Sequence, residues 1–331
     1  MNRRKISVLS FCVIILVACG NNEEKNILAT KTYASITDSL EKYPDNADLL
    51  FRRGELLSQN NQHELANADF QKAWKLKPTE ETAMSYVSNL FLIDKPAAAI
   101  DLLHEASKKF PDNQEFKRRL SEAYLQSGDA GQALELYNSI LQTDSMNFEA
   151  WHDKGLLLAE MDDTNAAIAA LQRSYAIQPL SMNGIPLANL YAETKNPLAL
   201  AICDSIIAKD SVAAAVDPYY IKGVYYSNTA QHKLAIEEFE ECIKRDWKFS
   251  DAYIEKGIVL FEMKNVDEAL QTFKLATTVT PRNADAYYWQ ARCYESIGKR
   301  QEAEDNYVRA LTLDRTFREA REHLNKLQQQ K

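Results

Sequence analysis

The segment DAYIEKGIVLFEMKNVDEALQTFKLATTVTPRN, residues 251–283, carries two helical faces in succession. Tyr253, Gly257 and Leu260 recur at helical spacing, and Ala269, Phe273 and Ala276 do the same before Pro281 stops the run. Gly257 and Ala269 lack bulk, so two antiparallel helices can approach closely there, while Tyr253, Leu260 and Phe273 fill the seam. The segment therefore reads as one helical hairpin, closed by a proline that cannot continue a helix.

A shift of about 34 residues finds the pattern again. Gly223 lies 34 residues before Gly257 and Ala291 lies 34 after it, while Gly155 and Gly54 mark earlier copies. The second helix recurs as Ala66, Phe70 and Ala73, then Ala99, Leu103 and Ala106, then Ala133, Tyr137 and Ile140. It continues through Ala167 with Leu171, Ala235 with Phe239, and Ala303 with Tyr307. About eight copies hold phase over residues 47–315, and in this the chain resembles the tetratricopeptide repeat family. The resemblance implies an all-α, right-handed superhelical solenoid of helix-turn-helix repeats with a C-terminal capping helix. The composition, with a hydrophobic fraction of 46%, nine glycines and nine prolines, fits a folded array whose core lies between neighbouring repeats.

Residues 1–18 read as a signal peptide: Arg3, Arg4 and Lys5 precede an apolar run too short to span a bilayer. The run ends in Leu16-Val17-Ala18-Cys19, which resembles the lipobox of bacterial lipoproteins. That resemblance implies cleavage before Cys19, lipidation of its thiol and amine, and membrane attachment through the lipid. Several acyl chains hold stably where one holds marginally. Loss of the three leading cations takes the formal net charge from -8 to -11, which disfavours nucleic acid and anionic head groups as partners. Gly20, not aspartate, follows the cysteine, which in the enterobacterial sorting pattern favours the outer membrane, and Glu23 and Glu24 resemble the export stretch of surface lipoproteins in the Bacteroidetes. The expected location is the cell envelope, on the periplasmic or the surface-facing leaflet.

Residues 19–30 read as the lipidated cysteine and a flexible tether, and residues 31–46 as an N-terminal half-repeat covering the apolar side of the first hairpin. Residues 181–214 form an irregular repeat, with Pro186 in the first turn of its first helix and Pro197 shortening its turn, and a bend is expected there between repeats one to four and six to eight. Residues 316–331 read as the capping helix, with Phe317, Ala320, Leu324 and Leu327 on one face.

No constellation supports catalysis, and no cofactor is implied. The motifs G-x-S-x-G, H-E-x-x-H and G-x-x-x-x-G-K-[ST] are missing, and the five histidines are spread over four different repeats and the capping helix. Cys203 and Cys242 occupy small apolar positions, where a thiol acts as a small hydrophobe, with a disulfide between repeats as the alternative. The carboxylates of Glu237, Glu238, Glu240 and Glu241 fall mostly on the outer face of their helix.

The family resemblance implies that first helices line a concave groove. The positions one residue after Tyr253 and after Gly257, read through the array, would face it. Members that bind chaperone tails carry a carboxylate clamp of lysine, asparagine and arginine at these places, and this chain lacks it. Its candidates are Phe51, His152, Leu156, Tyr220, Val224, Ile254, Ile258, Tyr288 and Arg292, an apolar and partly aromatic set suited to a helix or extended segment of a protein or peptide partner. The expected function is a non-catalytic protein-protein interaction scaffold. An alternative is an adaptor presenting substrates to an envelope protease or peptidoglycan-remodelling enzyme, and an enzyme with an unrecognised pocket stands behind both.

Overall fold

The structure, a computed structural model, describes residues 24–209 and 215–329. Residues 1–18, expected from the sequence to be a signal peptide, and Cys19 lie outside the described residues. Every regular element among the described residues is helical, and none of the helices is long and apolar enough to cross a membrane. The chain divides into two compact units at residues 150 and 151.

The first unit holds α1 (Ala34–Lys42) and three hairpins, α2 (Ala47–Gln59) with α3 (His63–Leu76), α4 (Glu80–Leu92) with α5 (Pro96–Lys109), and α6 (Glu115–Gln126) with α7 (Ala130–Thr143). Helix α8 (Phe148–Glu160) carries the division near its start and pairs with α9 (Thr164–Ile177) in the second unit. There follow α10 (Ser181–Glu193) with α11 (Leu198–Lys209), α12 (Asp217–Asn228) with α13 (His232–Arg245), α14 (Ser250–Glu262) with α15 (Val266–Val279), and α16 (Ala284–Ser296) with α17 (Arg300–Leu313). Helix α18 (Arg318–Gln329) closes the second unit.

Several of the hairpins share one close contact. The glycine of the first helix packs under the side chain sixteen residues later: Gly54 under Phe70, Gly155 under Leu171 and Gly257 under Phe273. Where valine replaces glycine, at Val87, the facing residue is the shorter Leu103, and both are fully buried. The turn is equally regular. Asn61, Asp94, Gly128, Asp162, Lys195, Ala230, Lys264 and Gly298 all have positive φ, between 53° and 83°. The residue after each donates its backbone N–H five residues back, as Asn265 does to Leu260 O at 2.9 Å, so a left-handed residue terminates every first helix. Side chains cap several N-termini: Asn46, Thr79, Asp129, Asp163 and Asn283 each accept from a backbone N–H three residues on.

Four expectations change. Residues 24–28 are helical, and Ile27 and Leu28 pack against the first unit's core beside Tyr33 and Leu57, so residues 24–30 belong to the folded unit and not to a flexible tether. Their apolar side chains have a surface to cover. Pro186 lies in the second turn of α10, not its first, because backbone bonding begins at Leu180 and the buried Asn183 side chain donates to Gln178 O at 2.8 Å. The carbonyl of Met182 thereby lacks its intrahelical donor. The irregular repeat is not where the chain divides: Leu187, Ala188, Tyr191, Cys203 and Ile206 are buried within the second unit, and Asn228 of α12 donates to Ala192 O at 3.1 Å. Finally, Glu238 and Glu240 are paired, with Lys222 at 2.9 Å and Lys256 at 2.7 Å, and the Lys222–Glu238 pair is largely shielded from solvent.

At the two ends, Leu40 of α1 joins Leu50 and Ala73, and α18 buries Ala320 and Leu327 against Tyr288 and Tyr307. Cys203, Cys242 and Cys293 are buried free thiols, each pushed up to about 12 by burial.

Candidate protein-binding face

In the second unit the first helices α12, α14 and α16 lie side by side and enclose a recess of ≈ 400 Å³. Its floor is Tyr220 of α12, Ile254 and Ile258 of α14, and Trp289 of α16; its wall is Asp251, Glu255, Asn283 and Asp285. The register explains the arrangement. Ile254 and Ile258 are one turn apart on α14, and Asp251 precedes Ile254 by a further turn, so all three share a face.

The floor is held from behind. The Tyr220 ring lies 6.0 Å from Phe239 and 5.3 Å from Phe249, and Trp289 stacks on Phe273 at 5.9 Å. Aromatic groups fixed by such contacts lose little freedom on binding a partner. The wall is electrostatically unusual. Burial, with Asp251, Glu262 and Asp285 nearby, raises the Glu255 carboxyl above its ordinary value, and burial likewise raises Asp285. The nearby cations are engaged elsewhere: Lys256 with Glu240, and Arg292 with Tyr288 and Glu295.

Of the nine candidates from the sequence, the structure brings Tyr220, Ile254 and Ile258 into this recess. Tyr288 and Ile254 are only 8% exposed, so neither presents a side chain freely. For Tyr288 the cause is the last helix: its ring sits 5.0 Å from Phe317 and 5.9 Å from Tyr307, a position that α18 closes. Arg292 folds back, with its guanidinium 5.7 Å from the Phe261 ring and 5.8 Å from Trp289, and donates to the Tyr288 hydroxyl at 3.1 Å. Val224 is partly buried against the Phe239 core. Leu156 is 38% exposed, and His152 is half-buried, with burial holding its imidazole below the usual value. Phe51 belongs to the first unit, tilted against Phe70 at 6.0 Å.

The first unit's corresponding face is mostly spoken for. A smaller recess of ≈ 270 Å³ lies between Glu55, Phe70, Met84 and Ser88, and beyond it Arg119 binds Glu122 at 2.5 Å and Ser88 at 2.8 Å, while Arg118 bonds Glu115 and Glu122. These charges neutralise one another.

Sequence reasoning gave the recess an apolar and aromatic lining and missed its acids and Trp289. The signal was present: Asp217, Asp251 and Asp285 stand 34 residues apart, each one turn before Tyr220, Ile254 and Tyr288. Acids in a first turn also offset the helix dipole, which is the reading they ordinarily receive.

Comparison with known proteins agrees with the repeat geometry. Family models described as tetratricopeptide repeat match residues 47–80, 94–157, 148–179, 216–246 and 254–321. A DnaJ homolog subfamily C member 7 homolog from Dictyostelium discoideum is 22% identical over 267 residues, 80% of this chain and 43% of that protein. The Hsp70-Hsp90 organizing protein of Triticum aestivum is 26% identical over 110 residues, 33% of this chain and 19% of its own. The chain thus spans less than half the length of these relatives. A crystal structure of a tetratricopeptide repeat protein from Parabacteroides merdae superposes with a TM-score of 0.63 at 16% identity, covering 75% of this chain and 98% of that one. With the glycine-to-aromatic seam, the eight left-handed turns and these matches together, the chain belongs to the tetratricopeptide repeat family.

Proposed function

We propose that this protein is a non-catalytic interaction scaffold, tethered by lipid on Cys19 to a bacterial envelope membrane, that holds a segment of another protein on the α12–α14–α16 face. The observation that carries the binding part is the recess between α12, α14 and α16, where the partly exposed Tyr220, Ile258 and Trp289 stand beside the acids of α14 and α16. Proteins of this family generally mediate protein-protein interaction, which supports the same reading. The anchor rests on Leu16-Val17-Ala18-Cys19. Because folded structure begins by residue 24, few residues would separate the lipid from the first unit, and the array would work close to the bilayer. High local concentration then adds to groove affinity.

Expression in a bacterium that processes lipoproteins, with detergent phase partition and intact-mass measurement, tests the anchor. Wild-type protein should enter the detergent phase carrying diacylglycerol, and Cys19→Ser should not; an unmodified wild-type chain would refute the anchor.

A further inference from the structure

Resting on the groove reading above, we infer that the α12–α14–α16 recess recognises a lysine or arginine side chain of the partner, held by carboxylates from two helices over an aromatic and aliphatic floor. The preference would be opposite in sign to a site that receives a carboxylate.

Charge complementarity selects this occupant. Asp251 and Glu255 come from α14 and Asp285 from α16, so acids flank the floor from two helices. Among the described residues no three carboxylate, histidine or cysteine side chains are placed to hold a metal ion together, which separates this wall from a compact cation cage. An ammonium or guanidinium group at the end of a long apolar stem matches the actual layout: spaced acceptors at the wall, with apolar surface beneath for the methylenes. The partly exposed Tyr220 ring lines the recess, and an aromatic face is a surface on which a cation gains further. The recess, at ≈ 400 Å³, has room for such a side chain and its neighbours.

The protein's own cations do not fill this role. Lys256 is drawn toward Glu240 on α13, and Arg292 lies among the rings of Phe261, Tyr288 and Trp289. In the first unit, Arg118 and Arg119 pair with Glu115 and Glu122. Burial, with Asp251, Glu262 and Asp285 nearby, raises the Glu255 carboxyl, and an incoming cation would stabilise its charged form.

The test is selection of binders from a phage-displayed library of random 12-residue peptides on the full chain in detergent, followed by affinity measurement on synthesised winners. Four proteins are compared: wild type, Glu255→Gln with Asp285→Asn, Tyr220→Ala, and a charge-matched control, Glu302→Gln with Glu319→Gln on the exposed faces of α17 and α18. The expected result is enrichment of lysine or arginine beside apolar residues. Winners should bind the recess variant about tenfold more weakly and the control unchanged. Winners that depend on Tyr220 but show no basic enrichment, or bind the recess variant equally well, would overturn the cation inference and leave the groove reading standing. Equal weakening by the control would also overturn it, assigning the effect to overall charge. Absence of any Tyr220-dependent binder would overturn both.

Discussion

Gly257 lies so close under Phe273 that a Cβ at the glycine would meet the ring's Cε1 at 2.5 Å. The pair sits at the centre of its hairpin, with Phe273 fully buried, so the ring has no free direction to move. Gly257→Ala is expected to cost about 1–3 kcal/mol through overpacking, measured by denaturant unfolding. Adding Phe273→Leu should recover part of the loss, since Val87 and Leu103 coexist at the same two positions of the second repeat.

Six of the eight hairpin turns place a non-glycine residue in the left-handed region, among them Ala230 at φ 59° and Lys264 at φ 67°. Neither side chain relieves the Cβ strain as asparagine or aspartate can. Ala230→Gly and Lys264→Gly should each raise stability by about 1 kcal/mol, read from the same unfolding curves. Loss of stability in both would show that the strain is absent.

The first hairpin carries an ion pair with both partners largely shielded. Arg53 donates two bonds to Asp69, at 2.6 and 2.7 Å, and the side chains are 14% and 7% exposed. Asp69→Ala strands the guanidinium in that setting, and the expected cost is about 3 kcal/mol. The double variant Arg53→Met with Asp69→Leu should be markedly less damaging than Asp69→Ala alone. A small effect from Asp69→Ala would mean that water reaches Arg53.

Glu255 has its carboxyl raised above the ordinary 4.5, first by burial and then by Asp251, Glu262 and Asp285. Its folded form holds a proton more tightly than its unfolded form, so its stability contribution is full below 4.5 and is lost as pH rises through the folded value. Glu255→Gln removes that loss. Its melting temperature should exceed wild type at pH 7 and converge with it at pH 4. Equal melting at both values would contradict the raised carboxyl.

How much was legible in the sequence follows from what each residue type can announce. Gly257, Ala269 and Phe273 announce a close helix pair because size at fixed spacing admits few alternatives, and the array, its hairpins and its final helix all follow from that register. The turns were less visible, since only Gly128 and Gly298 mark a left-handed position by composition, while Ala230, Lys195 and Lys264 adopt one because both flanking helices are fixed by packing. Ile27 and Leu28 were hidden behind polar neighbours that read as a linker. Within the site, Tyr220 and Ile258 could be placed from repeat register alone. Tyr288 could not, because its burial depends on α18 folding over the last repeat.

The central claim is that the α12–α14–α16 face holds a protein partner. The most direct measurement is affinity capture from native membranes with the full chain, beside Tyr220→Ala and Ile258→Ala variants shown by circular dichroism to retain their helix, with mass spectrometry of the retained proteins. A specific protein should be captured by wild type, and its capture should fall at least tenfold with either variant. The same partner retained equally by all three would contradict the account and move the binding surface away from these helices.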